Sequence, residues 1–215
     1  MFDTRMAYSA DAVKKTRFTL VRHAESLWNA TGHWQGHGNP PLSARGFEQA
    51  HDCAARFRDS GERIDRLLCS DLLRTRQTAE AIGESLGLIP QPTALLRELA
   101  IGRWTGMTRA EIEVADGRLL DAFDSGDPNV RPGGGETRNE IRTRVRAAVE
   151  RLSVAHAGEH LMLVVHAGVI KALVPEANPA NTESVEITLE GIRDARPRVR
   201  YDNASLPAAN GNSLY

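Results

Sequence analysis

Two histidines and two arginines of this chain stand where phosphoryl chemistry could be done. Arg22-His23 follows the apolar run Phe18-Thr19-Leu20-Val21, and His166 follows the run from Leu161 to Val165. In open α/β sheets the functional crevice lies at the carboxyl ends of the strands, so parallel neighbours would carry both imidazoles into one cleft. A third run, Ile64 to Cys69, ends at Ser70, and Arg74 comes one helical turn later, within reach of the same rim. Guanidinium groups stay charged and fork onto phosphate oxygens. Helix N-termini at the strand ends would add N–H donors. A neutral imidazole can attack phosphorus in line, and an acid must then protonate the leaving oxygen. Such catalysis is mostly positioning and charge stabilisation. Spacing alone leaves a second reading open, because a histidine at a strand end is often structural.

The elements that must hold these residues are legible from periodicity. Residues 29–41 are rich in Gly, Asn and Pro and read as a loop. Ser43 is placed to cap a helix whose Ala44, Phe47, Ala50, Ala54 and Phe57 recur at spacings of three and four. Ser70 or Asp71 is expected to cap a second helix, with Leu72, Thr75, Ala79, Ile82 and Leu86 inward and Gly87 as its stop. Thr108-x-x-Glu111 and Thr137-x-x-Glu140 are capping-box patterns, the second opening a helix with Ile141, Val145, Ala148, Val149 and Leu152 on its core side. Leu161 to Val165 is apolar on both faces, as a central parallel strand covered by helices would be. Ser184 to Leu189 alternates like a strand, and Val199 to Tyr201 is a further candidate. Strands alternating with helices give an α/β fold, a three-layer α/β/α sandwich on a mostly parallel central sheet. Residues 1–16 and 203–215 read as tails around one domain spanning 17–202.

Composition narrows the field. The 215 residues carry 27 Lys+Arg against 28 Asp+Glu, a net charge of -1. A general nucleic-acid binder usually carries a basic excess, so none is expected as partner. No apolar run approaches the roughly 18 residues of a membrane span. The start of the chain shows no secretory h-region. Cys53 and Cys69 make neither a disulfide framework nor a metal spacing, which suits reduced thiols in a cytoplasmic protein. Only 3 of the basic residues are lysine, and no Gly-rich phosphate loop with its Lys is present.

Several ordered segments together resemble the histidine phosphatase superfamily, the phosphoglycerate mutase-like group. Leu20-Val21-Arg22-His23-Ala24-Glu25-Ser26 is similar to its R-H-[GA]-E-[ST] signature, with Asn29 where that family has E-S-x-W-N. Gln35-Gly36 and Pro41-Leu42-Ser43 through Gln49-Ala50 follow. Then come Ser70-Asp71-Leu72-x-Arg74-Thr75-x-Gln77-Thr78-Ala79, and Glu98 with Gly102, Trp104 and Gly106. Pro132-Gly133-Gly134-Gly135-Glu136-Thr137 and Val164-Val165-His166-Ala167-Gly168 close a match over about residues 17–174. The resemblance implies that His23 is the nucleophile and becomes phosphohistidine, and that Arg22, Arg74 and His166 complete the phosphoryl pocket. Glu98 would be the acid for the leaving group and then the base for water, with Asn29, Gln35 and Gly36 along the rim. It implies a phosphatase acting on a small phosphorylated metabolite without metal or other cofactor.

The departures bear on which reaction is meant. Where the mutases of the family read E-R-H-Y-G, this chain reads Glu98-Leu99-Ala100-Ile101-Gly102. Their longer basic insertion is reduced to Arg109, Arg118 and Arg131 between Gly106 and Pro132. A cofactor-dependent mutase is therefore the second enzyme reading. A silent phosphate-recognition or regulatory protein is the alternative of another class, disfavoured by the intact set of site residues. A sugar phosphate, phosphoglycerate, α-ribazole phosphate or phosphoamino acid all fit as substrate, and a monomer or homodimer is open. His33 with His37, and His156 with His160, have a spacing that can bind metal on a helix, but the first pair sits in a loop and the second at a helix end. Arg138, Arg142, Arg144, Arg146 and Arg151 read as a solvated helix face, and Arg193, Arg196, Arg198 and Arg200 as a solvated strand. Trp28 and Trp34 are expected near the site and Trp104 in the core.

Overall fold

The structure, a computed structural model, describes residues 15–188. Residues 1–14, the end of the proposed Ser184–Leu189 strand, Val199–Tyr201, the four arginines from Arg193 to Arg200 and the tail 203–215 lie outside the described residues. Four parallel strands and one antiparallel edge strand make the sheet. They are β1 (Arg17–Arg22), β2 (Arg66–Ser70), β3 (Gln91–Thr93), β4 (His160–Val165) and β5 (Ser184–Thr188), in the order β3-β2-β4-β1-β5. The helices are α1 (Leu27–Ala30), α2 (Ala44–Asp59), α3 (Leu73–Leu86), α4 (Arg109–Asp124), α5 (Arg138–Ala155) and α6 (Ala167–Leu173).

Alternation along the central strands divides the core in two. Phe18, Leu20, Leu161, Leu163 and Val165 pack with Ile112, Ile141, Val145, Val149, Val169 and Ile170 of α4, α5 and α6. Val21, Leu67, Cys69, Met162 and Val164 face the other way, onto Cys53, Ala54 and Phe57 of α2 and Ala79 and Ile82 of α3. All six residues of β4 are buried, as a strand covered on both faces requires. The three-layer expectation holds. After β1 the chain leaves toward α2, while after β4 it turns directly into α6 on the opposite face. Adjacent strand ends that part in this way open a crevice between them.

Local signals held where their partners were local. Ser43 caps α2, Thr108 and Thr137 form reciprocal capping boxes with Glu111 and Glu140, and Gly87 closes α3 in the left-handed conformation. Elsewhere the structure corrects the reading. The second helix begins at Leu73 and its N-cap, Leu72, makes no side-chain cap bond. Ser70 is instead the last residue of β2, and the Asp71 carboxylate is held by Arg97. Phe47, expected inward, is 42% exposed, and Gly46 takes the inward position. A Cβ there would come 1.9 Å from the Glu25 carbonyl oxygen, so α2 packs against that segment only through glycine. The short edge strand β3, with Pro92 inside it, and the single turn α1 were not anticipated. Proline is tolerated on an edge because no neighbour needs its missing N–H.

Candidate active site

The register of β1 with β4 pairs Arg22 with Val165, so the next residues, His23 and His166, leave the sheet side by side. The His23 N–H donates to the Val165 carbonyl at 2.9 Å, and the ring centroids of the two histidines lie 5.2 Å apart at 64°. His23 is pinned from three further directions. Its carbonyl accepts from Asn181 Nδ2 at 2.7 Å, and Ala24 N–H donates to Thr78 Oγ1 at 3.1 Å. Its Nδ1 lies 2.7 Å from the Ala24 carbonyl oxygen. A carbonyl only accepts, so in the neutral ring Nδ1 carries the proton and Nε2 presents its lone pair to the cleft. Burial holds the His23 pKa well below that of an ordinary histidine, with Arg74 and then Arg22 adding to the effect.

Arg74 comes from the first turn of α3, and its three nitrogens are each placed. Nε donates to His23 Nε2 at 3.2 Å, Nη1 to the Gly38 carbonyl at 2.8 Å and Nη2 to the Gly36 carbonyl at 3.0 Å. Burial pulls its pKa down to about 10, against the favourable field of Glu98. Arg22 gives Nη1 to the Pro179 carbonyl at 3.0 Å, and its Nε is buried without a hydrogen bond. His166 is fully buried, and neither of its ring nitrogens has a hydrogen-bond partner. Its pKa also lies well below the ordinary value, through burial first and then Arg74 and His23. Unmet buried donors beside two guanidinium groups are what a bound oxyanion would complete.

Glu98 sits across the cleft. Its Oε1 accepts from Leu99 N–H at 2.8 Å and its Oε2 from Gly168 N–H at 3.1 Å, the latter in the first turn of α6. A Cβ at Gly168 would lie 2.1 Å from Oε1, so this approach needs glycine. The cleft is lined by Arg22, His23, Gln35, Gly36, Arg74 and Glu98, with Trp34, Leu99 and Ile101 as apolar wall.

The rim residues divide. Gln35 and Gly36 line the cleft, Gln35 accepting from Ser26 Oγ at 2.8 Å and Gly36 turning its carbonyl to Arg74. Asn29 lies outside the lining, where its side-chain oxygen accepts from Ser26 N–H and closes a capping box for α1. Trp34 both lines the cleft and packs edge-on to the fully buried Trp104. His33 pairs with Thr31 and His37 with the Glu98 carbonyl, so the two do not converge. His160 belongs to β4, with Nε2 on Thr19 Oγ1, and not to the preceding helix end. Among the described residues no group of three or more His, Cys, Asp or Glu is arranged to hold a metal ion.

The sequence family model that matches residues 18–190 is that of the histidine phosphatase superfamily (branch 1). The chain belongs to this superfamily. Among its relatives is phosphoglycerate mutase-like protein 4 of Arabidopsis thaliana, 32% identical over 175 residues that cover 80% of this chain and 76% of that one. The probable phosphoglycerate mutase GpmB of Yersinia pestis is 34% identical over 188 residues, 87% of this chain and 81% of the relative. In structure the superfamily fold recurs in a mycobacterial glucosyl-3-phosphoglycerate phosphatase in complex with VO3, with TM-score 0.75 and 26% identity over 88% of this chain and 100% of that one.

Two contributions to the site were not legible in the sequence. Asn181 and Pro179 belong to a segment that no motif marks, and Arg144, on a helix face expected to be solvated, reaches the Glu98 carbonyl at 3.3 Å. The apolar wall had a signal, the change to Leu99-Ala100-Ile101 directly after Glu98.

Proposed function

We propose that this chain is a phosphatase that hydrolyses a small phosphomonoester through a phosphohistidine at His23. The observation that carries the reading is the buried His23, its Nδ1 on the Ala24 carbonyl and its Nε2 beside Arg74, which lines one cleft with Arg22 and Arg74 while the unbonded ring of His166 stands 5.2 Å from its own. The phosphoryl group would rest between the two guanidinium groups and His166. Nε2 attacks phosphorus as the P–O bond to the alcohol breaks, and Glu98, entering as the acid, gives its proton to the departing oxygen. Water then attacks the phosphohistidine, passing a proton back to Glu98 as the N–P bond breaks and phosphate leaves. The net change is ester plus water to alcohol plus phosphate. Arg22 and Arg74 supply the positive charge that a metal would otherwise bring, so no metal enters the scheme. The substrate is a phosphorylated metabolite and the protein a cytoplasmic one in this reading.

A mutase is the second reading, favoured by relatives named as phosphoglycerate mutase-like and as a probable phosphoglycerate mutase. Against it, among the described residues Arg22 and Arg74 are the arginines or lysines that line the cleft, and in this reading both hold the phosphoryl group. Among the described residues that lining then offers no further cation to grip a substrate carboxylate. Turnover of a panel of phosphate esters by the unaltered protein and by His23→Ala tests both. The phosphatase reading expects hydrolysis that falls at least about 10³-fold in the variant. It also expects acid-labile label on residue 23 after quenching. Faster transfer of that label to monophosphoglycerate than to water would instead establish the mutase, and an active His23→Ala protein would end both.

A further inference from the structure

We propose that Arg144 is a positioning residue for the acid Glu98, clamping the loop that carries it; this rests on the phosphatase reading above. The loop needs such a clamp. Between the single 3₁₀ turn Ala94–Leu96 and the next at Gly102–Trp104 it has no regular structure, and the carbonyls of Arg97, Glu98 and Ala100 are bonded from other segments. Arg144 reaches it from α5, two turns beyond the Thr137 cap. Nη1 donates to the carbonyls of Leu95 at 2.8 Å and Arg97 at 3.0 Å, and Nη2 to that of Glu98 at 3.3 Å. The remaining donors go to Glu136, Nε to Oε1 at 3.0 Å and Nη2 to Oε2 at 2.8 Å. A guanidinium has five N–H groups, and all five are placed. Glu136 is tied to the same loop, its N–H donating to the Ala100 carbonyl at 2.7 Å. His37 meets the Glu98 carbonyl at 2.8 Å from the other side. The pair is mostly buried, with the Arg144 side chain 22% and the Glu136 side chain 16% exposed.

The arrangement fixes the backbone of residues 95–100, while Leu99 and Gly168 N–H groups orient the carboxylate. Lysine cannot replace it, because an ammonium has three donors and no fork. The step that should suffer is proton delivery to the leaving oxygen, which depends on where the carboxylate stands.

The experiment compares Arg144→Lys with the unaltered protein on an alkyl phosphate, whose alkoxide must be protonated, and on 4-nitrophenyl phosphate, whose nitrophenolate leaves unaided. Values of kcat/KM report the steps up to phosphoenzyme formation. The alkyl ester should lose about tenfold to hundredfold and the nitrophenyl ester less than about threefold. Glu136→Gln keeps the carbonyl contacts of Arg144 and loosens the pair and the 3.4 Å bond from Ala100 N–H, so it should give the same ratio in milder form in a protein that folds normally. Equal losses on the two esters, or none on either, would overturn the clamp while leaving the phosphatase reading intact. No turnover of either ester by the unaltered protein would overturn both.

Discussion

At the scale of single residues, the site works by denying groups their usual solvation. Burial beside two cations favours the neutral form of His23 and His166, which is the state that the proposed nucleophile and hydrogen-bond donor to phosphate need at ordinary pH. Arg74 has no carboxylate bonded to it, only carbonyls and an imidazole, so its charge is available to an incoming anion. Glu98 depends on an absence, the missing side chain of Gly168. Gly168→Ala places a methyl 2.1 Å from Oε1 and must push the carboxylate aside. We expect phosphatase activity to fall about tenfold to hundredfold with little change in thermal midpoint. Steady-state kinetics beside a melting curve checks this, and an alanine variant with normal kcat would show that Glu98 need not lie against α6.

Among the elements, the segment between α6 and β5 has a role that its sequence does not advertise. It brings the Pro179 carbonyl to Arg22 and Asn181 to the His23 carbonyl. The chain holds this course through Thr182, whose φ of 61° is unusual for a β-branched residue. Its N–H donates to the Arg22 carbonyl at 3.0 Å, and its carbonyl accepts from Arg56 at 3.0 Å. Backbone strain is therefore held at the edge of the site by hydrogen bonds on both sides. Thr182→Gly removes the strain and keeps both backbone bonds. It should raise stability by about 1 kcal/mol with activity retained, as read by urea denaturation. Destabilisation would mean that the Thr182 side chain contributes more than its backbone conformation costs.

For the molecule as a whole, the sheet and its two helical layers exclude water from the ends of β1 and β4, and this has a consequence for acid stability. In the unfolded chain His23 and His166 take up protons as pH falls through about 6.5, the ordinary value, while in the fold they stay neutral far lower. The unfolded state then binds more protons, so stability is full above that pH and is lost below it. The slope is about 1.4 kcal/mol per pH unit for each histidine. Urea midpoints measured from about pH 7 down to about pH 5 should fall steadily. A flat profile would mean that these imidazoles reach solvent.

How much was legible in the sequence follows from the range of the interactions involved. Apolar runs and caps are local, so β1, β4 and the capping boxes of α4 and α5 could be read directly, and two histidines at the ends of doubly buried runs implied one cleft. Ordered motifs then carried Glu98 to the far wall. Tertiary structure alone decided which polar residues turn inward. Arg144 looks like any other arginine on a charged helix, because three of its five bonds go to backbone carbonyls 46 to 49 residues away and carbonyls are the same in every residue. Arg138 likewise leaves the expected solvated face to lie 4.0 Å over the Phe123 ring. Asn181 and Thr182 carry no sequence signal for the same reason, since they act on the backbone of residues 22 and 23 across the fold. Side-chain pattern reports what must be hidden from water; which distant main-chain oxygen a hidden donor will find is settled only when the chain has folded.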